Sequence, residues 1–240
     1  MKIRTDKALI SDLIMKSFEF DIIKGRVHNP GNIDFIMNCL LSCKIDVMEY
    51  KKYYRARRIY ADSQEIEFLN GIPQNGFCSD KSGVAPIHLC MPGRANDSKE
   101  QVLYISEDEK TAIKEVRTPK FDFASVASCL VDKEIRVFDF SPFTEKELET
   151  YVSTSKLGDR EEIISKTLLF IKMQRILTLE EYAENNYIIS RELVKIIKQG
   201  FPDVSGIKYI SHFTGKNNYA LWDDNKYLEF SDGVAVMCKY

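Results

Sequence analysis

The stretch that decides the fold is VLYISEDEKTAIKE, residues 102–115. Its first four residues are all apolar or aromatic, and three of them are β-branched or aromatic, which predicts a short strand. Ser106, followed three residues later by Glu109, has the pattern of a capping box and predicts a helix that runs to about Val116. Strands and helices do not alternate regularly along the rest of the chain, so the pattern favours an α+β fold over a doubly wound sheet.

Helical spacing dominates the chain before this stretch. Residues 1–48 form a predicted helical N-terminal extension, interrupted at Asn29-Pro30-Gly31. The apolar residues that recur at helical spacing are Leu9, Ile10, Leu13, Ile14 and Phe18, and then Ile33, Ile36, Leu40 and Leu41. We therefore expect two parts, an extension over residues 1–48 and a main domain over residues 49–240.

The main domain opens with a β-like stretch from Tyr53, in which Arg55 and Arg57 share one face. Residues 70–101 hold seven Gly or Pro residues and predict a long loop, which in a compact domain is functional or disordered. Further strands are predicted at 134–140, 207–211, 219–222, 227–230 and 234–237. Further helices are predicted from Thr144, where Glu147 completes a second capping box, and at 159–177 and 179–199.

Composition excludes several classes of protein. The formal net charge is -2, and no run of Lys and Arg exceeds the Arg57-Arg58 pair with its scattered neighbours, which argues against nucleic-acid binding. No apolar run approaches a membrane span, and no signal peptide is recognisable. The six cysteines contain no C-x-x-C pair. We expect a cytoplasmic protein in a reducing compartment.

Familiar cofactor motifs are absent. The sequence contains no G-x-G-x-x-G, no P-loop and no nucleophile elbow, and its three histidines are widely separated. We therefore expect no metal site, and dehydrogenase, P-loop and zinc-hydrolase functions are poorly supported.

One local constellation carries possible chemistry. Arg94 lies near the end of the long loop, Tyr104 lies on the predicted strand ten residues later, and Glu115 lies on the predicted helix eleven residues beyond that. Glu115 is at the edge of the buried stripe, where a carboxylate is held rigidly and partly desolvated. Structural interpretations remain open: Glu115 as a surface ion-pair partner of a neighbouring base, and Tyr104 as a core residue.

Taken together, these residues resemble the RES domain. Four segments match that family in order and spacing over residues 50–215. They are Tyr53-Tyr54-Arg55-Ala56-Arg57, Gly93-Arg94-Ala95-Asn96, the strand and helix of residues 103–115, and Gly206-Ile207-Lys208-Tyr209-Ile210-Ser211. Ala95 departs from the family, which has an aromatic residue after Gly-Arg, so the resemblance implies weaker stacking at one wall of the pocket.

The resemblance implies an ADP-ribosyltransferase-like mixed sheet core with flanking helices, and an enzyme that acts on NAD as its substrate. It implies Glu115, Tyr104 and Arg94 as catalytic residues. It implies that the dinucleotide is bound by Arg55, Arg57, Arg94, Tyr104 and Ser211. It also implies an Xre-type helix-turn-helix antitoxin as partner. Which of Arg55 and Arg57 faces the pocket stays open, because their spacing lets both do so.

Glu115 is the residue whose chemistry fits this reaction best. Cleaving the nicotinamide–ribosyl bond generates an oxocarbenium-like centre, which a carboxylate stabilises. Guanidinium groups bind a pyrophosphate through charge-assisted hydrogen bonds. The expected activity is NAD degradation of the glycohydrolase or phosphorylase type. The alternatives are a protein ADP-ribosyltransferase with NAD as donor, and a non-catalytic protein-interaction module.

Overall fold

The computed structural model describes residues 6–41, 44–142, 160–178, 184–222 and 228–239. The helix predicted from Thr144 and Glu147 lies outside these residues. The chain divides into two compact units. The helical unit comprises residues 1–44, 93–95 and 139–202, and the sheet unit comprises residues 45–92, 96–138 and 203–240.

The helical unit contains four described helices. They are α1 (Asp6–Ile23), α2 (Pro30–Leu40), α5 (Arg160–Thr178) and α6 (Glu184–Gly200). The helices between them in the chain, α3 (Ser79–Ser82) and α4 (Glu109–Glu115), belong to the sheet unit. The predicted break is confirmed, because Pro30 is the first residue of α2 and Asn29 caps it by accepting from the Gly31 amide at 2.9 Å. No described helix is long and apolar enough to cross a membrane.

The buried face of α1 includes Phe18 of the predicted apolar stripe but not Leu13. Leu13 is 56% exposed, whereas Met15 and Phe18 are buried. They share the unit with the buried residues Ile36, Leu169, Met173, Leu193 and Ile197. A fully buried phenylalanine such as Phe18 contributes about 3–5 kcal/mol relative to alanine.

The sheet unit contains eleven described strands and two described helices. The strands are β1 (Ile45–Val47), β2 (Lys52–Arg58), β3 (Phe68–Leu69), β4 (Ile72–Pro73), β5 (Leu103–Ser106), β6 (Phe123–Val131), β7 (Arg136–Asp139), β8 (Gly206–Ile210), β9 (Asn217–Leu221), β10 (Leu228–Phe230) and β11 (Val234–Met237). The helices are α3 (Ser79–Ser82) and α4 (Glu109–Glu115). The α+β fold class is thereby confirmed.

Among the described residues, nine strands form one sheet in the order β1-β7-β8-β9-β5-β2-β6-β10, and β11 pairs with β6 as well. Strand β2 pairs antiparallel with β6 along its full length, and Tyr54 lies opposite Ser106 of β5. Strand β9 pairs antiparallel with β5 on one side and with β8 on the other. This order brings residues near 104, 211 and 218 into neighbouring strands.

Two strands differ from the sequence prediction. Strand β6 was not predicted, because most of its residues are buried on both faces and its Ala- and Ser-rich sequence does not alternate. Strand β1 falls where a helix was predicted, since residues 45–47 pair antiparallel with β7. The predicted loop over residues 70–101 also contains β4, α3 and a short 3₁₀ turn at Ile87–Leu89.

The sheet has two chemically different faces. One face, here called the α4 face, carries Tyr54 and Ala56 of β2 and packs on Ala112 and Ile113 of α4. The opposite face, here called the far face, carries Tyr53, which packs on a buried cluster of strand residues. That cluster includes Leu103, Ile105, Cys129, Val131, Val137, Tyr219 and Leu221. Because paired residues of neighbouring strands point to the same side, Tyr104, Ser106 and Asn218 lie on the α4 face.

Candidate active site

Helix α4 places Glu115 at the edge of its buried stripe. The helix is capped by Asp108, whose Oδ1 accepts from the Thr111 amide at 2.9 Å. The predicted capping box at Ser106 is therefore wrong, since Ser106 ends β5 and a helix cap requires the residue that directly precedes the first turn. Ala112 and Ile113 are buried against the sheet. Glu115, the last residue of α4, is partly buried, as its helical position predicted.

Two buried side chains hold the Glu115 carboxylate through one oxygen. Ser211 Oγ donates to Glu115 Oε1 at 2.6 Å, and Asn218 Nδ2 donates to the same oxygen at 2.7 Å. Both donors are 2% exposed. Among the described residues, none donates a hydrogen bond to Oε2. The carboxylate is thus fixed by one oxygen and has the other available for a ligand.

The turn that carries Ser211 is tied to α4. The Ser211 amide donates to the Lys216 carbonyl at 2.7 Å, and the Gly215 amide donates to the Ser211 carbonyl at 2.9 Å. Gly215 has a φ of +70°, which favours glycine. Thr214 Oγ1 lies 2.8 Å from Thr111 Oγ1 on α4. These bonds hold Ser211 and Glu115 in a fixed relation.

Asn218 is the site residue that the sequence analysis missed. It lies seven residues after Ser211, on strand β9, whose predicted start was Tyr219. Asn217 and Asn218 have low strand propensity, which hid the strand's first two residues. The pair of asparagines directly before an apolar strand could have indicated a site residue, because an asparagine that is buried requires hydrogen-bonding partners.

Tyr104 lies on the same face as this carboxylate network. Its hydroxyl donates to Asn96 Oδ1 at 2.8 Å. Asn96 is buried, and its Nδ2 lies within hydrogen-bond distance of three backbone carbonyls of the same loop. They are those of Met91 at 2.8 Å, Asp97 at 3.0 Å and Glu100 at 3.2 Å. The asparagine of the Gly93-Arg94-Ala95-Asn96 element thus joins its loop to the Tyr104 side chain.

Arg55 and Arg57 project from the far face, because they alternate with Tyr54 and Ala56 along β2. Arg55 Nη1 donates to the Ser82 carbonyl at 2.6 Å, and Arg57 Nη1 donates to the Lys81 carbonyl. Burial, and to a lesser extent the charge of Arg57, lower the pKa of the Arg55 guanidinium to about 10. The structure does not bring these two arginines together with Glu115; it brings them to the end of α3.

Arg55→Met tests this placement. We expect a loss of about 1.5–3 kcal/mol in the free energy of unfolding, because a charge-assisted hydrogen bond to a backbone carbonyl is removed. The Michaelis constant for NAD, the substrate that the resemblance to the RES domain implies, should stay within twofold of wild type. Denaturant unfolding and steady-state kinetics measure the two effects, with Arg58→Met on the α4 face as control. A Michaelis constant raised tenfold or more in Arg55→Met would place Arg55 in dinucleotide binding instead.

Arg94 belongs to the helical unit and contacts its helices. Nη1 lies 3.5 Å from the Ile176 carbonyl, and Cζ lies 5.5 Å from the centroid of the Tyr187 ring. Its own carbonyl accepts from Ser190 Oγ at 2.8 Å. Ala95, which follows it, is buried, 1% exposed. Arg94 is therefore anchored by α5 and α6 within the helical unit.

The chain matches the family model of the RES domain over residues 75–232, which is more than half of its length. It therefore belongs to the RES domain family, a family of toxins that act on NAD. The matched region contains Arg94, Tyr104, Glu115, Ser211 and Asn218. It begins after Arg55 and Arg57, which therefore lie outside the match.

Comparison with curated proteins found no match. Among solved structures, the chain is similar to one described as the crystal structure of the M. tuberculosis MbcT-MbcA toxin-antitoxin complex. The two chains share 10% sequence identity with a TM-score of 0.46, over 85% of this chain and 93% of that chain.

Proposed function

We propose that this protein cleaves the nicotinamide–ribosyl bond of NAD, as a glycohydrolase or phosphorylase. The observation that carries the proposal is the Glu115 carboxylate, which two buried donors hold through Oε1 while Oε2 has no donor among the described residues. Membership of the RES domain family supports NAD as the substrate.

The proposed chemistry needs one well-placed carboxylate. The bond between the nicotinamide nitrogen and ribose C1′ breaks, and its electron pair leaves with neutral nicotinamide. Positive charge develops at C1′, and Glu115 Oε2 stabilises it electrostatically. An oxygen of water or phosphate then bonds to C1′, and in the case of water the carboxylate accepts the proton that is released.

The remaining residues bind and orient the dinucleotide in this proposal. Tyr104 offers a ring face to the nicotinamide or its hydroxyl to the ribose, and Asn96 holds that hydroxyl at 2.8 Å. Ser211 and Asn218 keep the carboxylate in place. Arg94 is assigned to the pyrophosphate because a guanidinium suits that group and because the family motif includes it.

An NAD-consumption assay with product identification tests the proposal. The purified protein is incubated with NAD, with and without inorganic phosphate, and the products are separated and identified by mass. Nicotinamide with ADP-ribose indicates water as acceptor, and a phosphorylated ADP-ribose indicates phosphate. Label from NAD retained on proteins of an added cell lysate would indicate ADP-ribosyl transfer. Intact NAD under all of these conditions would refute the proposed function.

Arg94→Ala should mainly weaken substrate binding. We expect the Michaelis constant for NAD to rise about 10- to 100-fold with kcat changed only a few-fold, because a charge-assisted contact to the pyrophosphate is lost in ground state and transition state alike. Arg94→Lys keeps the charge without the planar guanidinium, so its Michaelis constant should lie between those of wild type and Arg94→Ala. An unchanged Michaelis constant in a folded Arg94→Ala protein would contradict the pyrophosphate role.

We also propose that an antitoxin protein of the Xre helix-turn-helix type binds and inhibits this chain. The support is family membership alone. Co-expression with the product of the adjacent gene, followed by affinity purification and the same NAD assay, tests it. If the second protein is co-expressed but does not co-purify, and the purified chain consumes NAD, this partner is contradicted.

A further inference from the structure

Ser106 is a buried polar residue that the reaction as described above does not use. It is the last residue of β5, and it is 3% exposed. The sequence pattern had suggested a helix cap, but Asp108 fills that role. Its hydroxyl instead donates to Asn218 Oδ1 at 2.6 Å. Strand pairing places the two residues directly opposite each other, at Ser106↔Asn218.

The Asn218 amide therefore has a different partner at each end. Oδ1 accepts from Ser106 Oγ at 2.6 Å, and Nδ2 donates to Glu115 Oε1 at 2.7 Å. An ionised carboxylate only accepts hydrogen bonds, so Nδ2 has to face Glu115. The amide oxygen then faces away from the carboxylate, into a region where Asn218 is 2% exposed and water does not reach it freely. Ser106 supplies the donor that this orientation requires.

The chain of bonds is directional from the strand to the carboxylate. Each hydroxyl or amide hydrogen in the chain Ser106–Asn218–Glu115 points toward the next acceptor, and hydrogen bonds in such a series polarise and strengthen one another. Ser106 touches Glu115 only through Asn218. Any effect it has on the reaction must therefore pass through the amide.

We propose that Ser106 is a positioning residue for NAD cleavage: it fixes the amide plane of Asn218 and thereby the carboxylate of Glu115. The inference rests on the proposed function. A supporting serine of this kind should affect the chemical step more than substrate binding, because its effect is on the geometry of the charge-stabilising group.

A double-mutant cycle tests the proposal. Wild type, Ser106→Ala, Asn218→Ala and the double variant are purified as full chains, and kcat and the Michaelis constant for NAD are measured. We expect Ser106→Ala to lower kcat about tenfold with the Michaelis constant within twofold, and Asn218→Ala to lower kcat about 10²-fold. The double variant should match Asn218→Ala, because Ser106 acts only through the amide. A further tenfold loss in the double variant would overturn the proposal.

Two additional variants separate positioning from folding. Ser125→Ala removes another serine that is 3% exposed, on the far face, where its Oγ accepts from the Phe77 amide at 2.9 Å. It should lower stability and leave kcat unchanged. Ser106→Thr keeps the hydroxyl and should restore most of the kcat that Ser106→Ala loses. Equal losses of kcat in Ser125→Ala and Ser106→Ala, or no restoration by threonine in a folded protein, would overturn the proposal.

A readout independent of turnover distinguishes this proposal from the proposed function. The side-chain amide protons of Asn218, observed by ¹⁵N-¹H NMR in wild type, should show the slow solvent exchange of a buried, hydrogen-bonded group. In Ser106→Ala their exchange should be at least tenfold faster, since the amide is no longer held at its oxygen. If wild type consumes no NAD, the proposed function fails while this signal still decides the role of Ser106. Unchanged exchange in Ser106→Ala would refute that role.

Discussion

Glu115→Gln should abolish NAD turnover and leave the fold intact. Glutamine keeps an oxygen that accepts from Ser211 and Asn218, so the contacts at 2.6 and 2.7 Å are preserved. Its amide group carries no negative charge and accepts no proton, so it neither stabilises positive charge at C1′ nor assists an attacking water. We expect kcat to fall by about 10³-fold or more, with the Michaelis constant within a few-fold of wild type.

Glu109→Gln is the matched control, because it makes the same substitution at the exposed first residue of the same helix. Its kcat should equal that of wild type, and both variants should unfold at the wild-type denaturant concentration within error. Expression in cells provides a second measurement: wild type should deplete NAD and slow growth, and Glu115→Gln should do neither. Turnover within tenfold of wild type in Glu115→Gln would refute the assignment of Glu115.

Asn218→Asp should have the second-largest effect, and the effect should depend on pH. The substitution replaces the amide nitrogen, 2.7 Å from Glu115 Oε1, by a carboxylate oxygen. Two carboxylates at this distance do not both ionise readily, so the pair retains one proton over a wide pH range. At low pH the shared proton restores a hydrogen bond between the two groups. As pH rises and that proton is lost, repulsion displaces Glu115, and we expect kcat at pH 8 to fall on the order of 10²-fold.

The measurement is the ratio of variant to wild-type kcat between pH 5.5 and 8.5, which should decrease as pH rises. Asn217→Asp is the control at the neighbouring position. The Asn217 amide donates to Glu107 at 2.9 Å, so this variant also places a carboxylate beside a carboxylate. Lys51, whose ammonium lies 3.2 Å from Glu107, offsets part of the repulsion there. Asn217→Asp should keep wild-type kcat at every pH, and a parallel loss in both variants would show that the effect is one of stability alone.

Local patterns predicted the parts of the site that depend on a few neighbouring residues. Helical spacing over residues 109–116 predicted that Glu115 lies at the edge of a buried stripe, and the structure confirms it. Alternation along β2 predicted that Arg55 and Arg57 share a face, which is also confirmed. Both features follow from backbone periodicity, which is the same whatever the helix or strand packs against.

Long-range pairing decided the features that local patterns left open. Ser211 and Asn218 reach Glu115 across 96 and 103 residues of chain, because β9 lies between β5 and β8. Which face of the sheet Arg55 and Arg57 occupy depends on the register that sets Tyr54 opposite Ser106. A shift of one residue in that register would reverse the result, and nothing in the sequence of β2 alone specifies it.

The sequence by itself determined the family, the α+β class and the position of Glu115 on its helix, because these rest on ordered motifs and on local periodicity. Only the tertiary structure decided which side chains hold that carboxylate. Asn218 and Ser106 are ordinary polar residues at strand ends, and each acquires its role from the strand paired with it. Burial makes these hydrogen bonds necessary, since a polar group removed from water requires a hydrogen-bonding partner within the fold.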